Sequence, residues 1–89
     1  MGKDKRYIQV KLLIIKGEVK SFNEIFDTLP KSVLARDMHM KIATLTKLMK
    51  RVDKIYLRDL AAIADLLGLD IKDMIELVLE QYIRNKKRK

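Results

Sequence analysis

The chain contains no cysteine. That excludes disulfide scaffolds, thiol nucleophiles and cysteine-based zinc sites, and it suits a reducing cytosol. There is one histidine, His39, and the three glycines (Gly2, Gly17, Gly68) are scattered, so no glycine-rich loop exists to cradle a phosphate. The only serines, Ser21 and Ser32, are remote from His39 in sequence. So thin an inventory of acid, base and nucleophile argues against an enzyme, and no cofactor, metal or small-molecule substrate site is read. The longest run of large aliphatic residues is Leu12 to Ile15, far short of the ~20 apolar residues of a membrane span. No signal peptide is read either, so the expected location is the cytoplasm.

What is present is a globular mixture. Of the 89 residues, 48% are hydrophobic and 36% charged, with a net charge of +8. A chain of this length hides roughly 60–65% of its unfolded surface, enough for one small core. The expected organisation is a single domain over 1–85 and a basic tail over 86–89. The charge is uneven. Residues 31–54 carry a net +5, residues 55–83 a net −4, and the ends, 1–6 and 84–89, carry +2 and +5. A basic middle with basic ends predicts a polyanion footprint on one side of the domain.

The pattern predicts an all-α fold, a compact bundle of five to six short helices. Tyr7–Ile15 fits both a strand, by alternation of Ile8, Val10, Leu12 and Ile14, and a broad helical stripe. Helix is favoured because a lone strand would have no partner, and Gly17 would end it in the left-handed conformation. Ser21 and Glu24 form a capping box for a helix over 22–28 that buries Phe22, Ile25, Phe26 and Leu29. Pro30 stops it, and Ser32 is expected to cap the next helix over 33–38. A turn at His39 to Lys41 leads into a helix over 42–50 with Leu45, Leu48 and Met49 on one side. Leu57, Leu60, Ala61, Ala64 and Leu67 predict a helix over 57–67, closed by Gly68. Asp70 is expected to cap the last helix, over 71–84. Its apolar stripe is Ile71, Met74, Ile75, Val78, Leu79, Tyr82 and Ile83.

Two short helices around a tight turn, the second carrying lysines, suggest a helix-turn-helix. Val33-Leu34-Ala35-Arg36-Asp37-Met38-His39-Met40-Lys41 resembles the signature of the phage-repressor-type, Xre-like helix-turn-helix DNA-binding domains. Ile42 to Lys50 resembles that family's recognition helix, and Leu66-Leu67-Gly68-Leu69-Asp70 its following helix exit. The resemblance covers about Lys31 to Met74, and the flanking helices resemble a small bacterial variant. His39 stands where the family has its turn glycine, Met49 replaces a frequent glutamate, and Arg51 to Ile55 replaces a Gly-Pro loop.

The resemblance implies a transcriptional regulator bound to double-stranded DNA. Lys41, Ile42, Ala43, Thr44 and Lys47 would approach base edges in the major groove, and Lys31, Lys50 and Arg51 would hold phosphates. The alternative is a protein-interaction module that keeps the fold without the DNA surface, since Asn, Gln and Arg are all missing from 41–47. A homodimer is expected through the helix Ile71 to Ile83, where Ile71, Ile75, Val78 and Tyr82 have a/d spacing.

Overall fold

In the computed structural model, which describes residues 4–87, five α-helices are joined by short turns and no strand occurs among the described residues. Helix α1 spans Arg6–Ile15, α2 Lys31–Asp37, α3 Ile42–Lys50, α4 Leu57–Leu67 and α5 Ile71–Lys87. The open reading of Tyr7–Ile15 resolves as helix. Asp4 accepts the Arg6 amide at 2.9 Å at its start, and Tyr7 and Val10 turn inward.

Helices α1, α2 and α4 stop by one backbone device. Gly17, His39 and Gly68 all adopt a left-handed conformation, with φ of 78°, 57° and 73°. In each case the left-handed residue and its successor return their amides to the last turn. Gly17 and Glu18 reach Ile14 and Leu13, His39 and Met40 reach Arg36 and Ala35, and Gly68 and Leu69 reach Asp65 and Ala64. This paired pattern satisfies carbonyls that a helix end leaves bare. Glycine reaches such a φ without strain, whereas histidine carries a Cβ and does so at some cost.

Several local expectations are corrected. The segment expected as a helix over 22–28 is a 3-10 turn, Asn23–Asp27. Its tighter repeat puts Phe22 and Ile25 on one side, and both are buried. Half of the capping box forms. Glu24 Oε1 accepts the amides of Lys20 at 2.7 Å and Ser21 at 3.2 Å, while the Ser21 hydroxyl accepts from Arg84 instead of capping the turn. Helix α2 begins at Lys31 rather than Val33. Pro30 stands at its N-cap and Ser32 lies exposed in its first turn without capping it, because proline already presets the entry dihedral. A second 3-10 turn, Val52–Lys54, fills the stretch after α3 and buries Val52.

One core joins the elements. Tyr7, Val10, Phe22, Ile25, Leu29, Leu34, Leu45, Val52, Met74 and Leu77 are buried together with Ile63, Ala64 and Leu67 of α4. Leu57, expected in the α4 stripe, is instead 64% exposed. It begins the helix, ahead of the point where α4 meets its neighbours. On α5 the buried line is Met74, Leu77 and Gln81. The seam expected from Ile71, Ile75, Val78 and Tyr82 is not one free face. Val78 packs against the core, Ile71 and Ile75 are half-buried, and Tyr82 turns toward Arg51 and Lys86. The last helix also runs through Lys87, so Lys86 and Lys87 are helical; Arg88 and Lys89 of the expected tail lie outside the described residues. Arg84, counted with that basic end, is engaged within the fold by Ser21, Glu24 at 3.1 Å and Glu80 at 3.0 Å.

Candidate nucleic-acid interface

Helix α3 is amphipathic because its apolar residues recur at helical spacing. Leu45 is buried and Leu48 and Met49 are half-buried beside it. Apart from half-buried Thr46, what remains faces outward. Lys41, Ile42, Ala43, Thr44, Lys47 and Lys50 are all exposed. Ala43, Lys47 and Lys50 follow i, i+4, i+7 spacing and therefore line one face. Ile42, at 48% exposed, is no core residue. The N-cap of α3 is Lys41 in an extended conformation, and no side chain caps the first-turn amides. Those amides lie beside exposed Ala43 and Thr44, at the positive end of the helix dipole.

The predicted phosphate holders are less uniform. Lys50 is exposed on the α3 surface. Lys31 is half-buried and donates to Thr46 Oγ1 at 3.4 Å, so it links the start of α2 to the middle of α3. Arg51 is held by Asp53 through two contacts of 3.0 and 3.2 Å. The guanidinium keeps the Asp53 carboxyl below its ordinary range, and the carboxylate raises Arg51 in turn.

The orientation of α3 depends on residues the pattern did not single out. Asn23 Nδ2 donates to Met49 O at 3.2 Å, and Asn85 Nδ2 reaches both Met49 O and Lys50 O at 3.3 Å. Gln81 joins the two. Its Oε1 accepts the Asn23 amide at 3.0 Å and its Nε2 donates to Asn85 Oδ1 at 2.8 Å. These amides satisfy carbonyls at the C-terminal end of α3, the end that points away from its exposed first turn. One signal in the sequence could have found them: Gln81 follows Met74 and Leu77 at apolar spacing, which marks a polar side chain on a core-facing stripe.

At the front of α3, Tyr7 fixes the preceding helix. Its hydroxyl donates to Asp37 Oδ2 at 2.7 Å, just before the turn that carries His39. Burial and this hydrogen bond push the Tyr7 phenol well above its ordinary value. The same hydroxyl, then Arg36, holds Asp37 below the usual carboxylate range.

Helix α2, a turn ended by a left-handed residue, and a second helix with its outer face bare make a helix-turn-helix. A family model for the Cro/C1-type HTH DNA-binding domain matches residues 29–80, more than half of the chain. The chain belongs to this family. The match begins before α2 and ends within α5, so both helices of the motif, all of α4 and the first part of α5 lie inside it. Searches of curated proteins and of solved structures returned no match. In this Cro/C1-type domain α3 is the second helix of the motif, and His39 takes the left-handed turn position that glycine fills in the resemblance read from sequence.

Proposed function

We propose that this protein is a transcriptional regulator that reads the major groove of double-stranded DNA with α3. The observation that carries the reading is the exposed row of Lys41, Ile42, Ala43, Thr44 and Lys47 on the second helix of a Cro/C1-type domain. The lysines donate to guanine O6 and N7, and Ile42 and Ala43 contact thymine methyls. The uncapped first turn of α3 favours a phosphate near its amides. Lys50 and Lys31 contact the backbone, and Arg51 does so while shared with Asp53. The protein works in the cytoplasm, without catalysis.

The protein acts as a homodimer through α5. Leu79 and Ile83 support this, being 55% and 46% exposed on the part of that helix turned away from the core. Two copies would reach half-sites roughly 34 Å apart.

A protein-interaction role without DNA has one observation in its favour. Ile8, Leu12 and Ile15 are exposed along one face of α1 at i, i+4, i+7 spacing. A mobility-shift series on random-sequence duplexes decides between the two. DNA binding gives a shift whose affinity falls steeply with salt; a pure adapter gives no shift at any salt.

A further inference from the structure

The end of α5 packs beside the end of α3, and between them Lys50, Arg51, Asp53, Tyr82, Asn85 and Lys86 line a cleft of about 440 Å³. Its charge is specific in origin. Arg51 and Asp53 neutralise one another across 3.0 Å, so Lys50 and Lys86 supply the net positive charge. The Lys86 ammonium is held in place: it lies 5.2 Å from the centroid of the Tyr82 ring and 3.4 Å from the Tyr82 hydroxyl. A helix C-terminus ordinarily repels an anion, since its bare carbonyls carry partial negative charge. Here the Met49 and Lys50 carbonyls accept from Asn85, and Met49 also from Asn23, so the repelling groups are already engaged. Asn85 anchors the backbone immediately before Lys86 to α3.

We propose that this cleft binds a backbone phosphate of duplex DNA, taken between the ammonium groups of Lys50 and Lys86, with α5 thereby adding a contact beyond the helix-turn-helix itself. This rests on the DNA-binding reading of α3. Lys50 lies one turn beyond Lys47 on the same face, so the cleft continues the α3 surface. The neighbouring Lys87 serves as an internal control. It carries the same charge one residue on but lines a separate cleft on another side of α5, with Ser21, Glu24, Asp27 and Arg84.

Lys86→Gln and Lys87→Gln, each measured against the unaltered protein on a random-sequence duplex across a salt series, test the assignment. Both lysines are exposed, so neither change removes a core contact. Loss of one phosphate contact lowers the log–log salt slope by about one unit. Lys86→Gln is expected to show that loss, with an affinity deficit that shrinks about 3.5-fold between about 50 and 200 mM salt. Lys87→Gln is expected to keep the original slope. An unchanged slope for Lys86→Gln in a protein that binds DNA overturns the cleft assignment alone. Equal changes for both lysines also overturn it, since they would reflect general attraction by the basic end. No binding by the unaltered protein overturns this assignment together with the reading of α3.

Discussion

Asn85 donates its side-chain amide to the main-chain carbonyl of Met49 at 3.3 Å, so the last turn of α5 holds the last turn of α3. The two residues are 36 apart in sequence. The bond belongs to a partly buried amide network with Asn23 and Gln81, and Gln81 is almost fully buried. Removing Asn85 leaves the Nε2 of buried Gln81 without its acceptor, which costs more than the net worth of a single hydrogen bond. Asn85→Ala is expected to lower stability by about 1–3 kcal/mol in urea denaturation. Asn85→Asp should be worse, because it sets a carboxylate against the negative end of α3. A variant as stable as the original would show that the network does not hold α3.

His39 tests the turn. Its φ of 57° is costly for a residue with a Cβ, and its side chain is exposed. His39→Gly is expected to raise stability by about 0.5–1 kcal/mol, the relief of left-handed strain less the entropy glycine loses on folding. His39→Val, with a β-branched side chain, should lower it. A thermal melt of both variants checks the two signs, and a destabilised glycine variant would mean that His39 makes a contact worth more than the strain.

The Tyr7–Asp37 bond gives stability both an acid and an alkaline limb. Asp37 is depressed below its unfolded value of 3.8, so its contribution is complete above that pH and disappears as pH falls through the lower folded value. Tyr7 is raised above 10.0, so its contribution is complete below that pH and is lost as pH rises through the higher folded value. Tyr7→Phe is expected to cost about 1–2 kcal/mol at neutral pH, toward the lower end for a bond to a charged group because Asp37 is partly solvated. It should also flatten both limbs in urea titrations taken across pH. Unchanged limbs in the phenylalanine variant would place the titrating groups elsewhere.

Helices α3 and α4 were legible to the residue, because each has a regular apolar row, and Gly68 closes α4. The differences fall at helix ends, where two apolar rows compete, and where polar side chains turn inward. Leu57 fits the α4 pattern yet begins the helix outside the packed layer. Ser32 is a good cap by residue type, but Pro30 already occupies that position with its dihedral preset. Leu77 was missed on α5 because Val78 and Leu79 beside it offered an equally apolar row. The bonds of Asn23, Gln81 and Asn85 depend on three-dimensional placement, and amide side chains in a helical sequence ordinarily face water. The outward face of α3 was readable because Leu45 and Leu48 fix which side turns in.

The homodimer prediction follows the exposed part of α5. Ile83→Asp or Leu79→Asp is expected to halve a dimer mass in light scattering without unfolding the chain, since both side chains are exposed. Ile75→Asp, at a half-buried position, should destabilise the fold as well. A mass near 10.4 kDa for the unaltered protein at micromolar concentration would rule the dimer out.

Affinity of the unaltered protein, Lys47→Ala and Lys50→Ala for a selected duplex and for random duplex separates base reading from phosphate holding. If α3 reads the major groove, Lys47→Ala loses about 1–3 kcal/mol on the selected duplex and little on random DNA. Lys50→Ala loses affinity on both and lowers the salt slope by about one unit. Equal losses on both duplexes for both variants, or no binding to any duplex by the unaltered protein, would contradict the assignment of α3 as the reading helix.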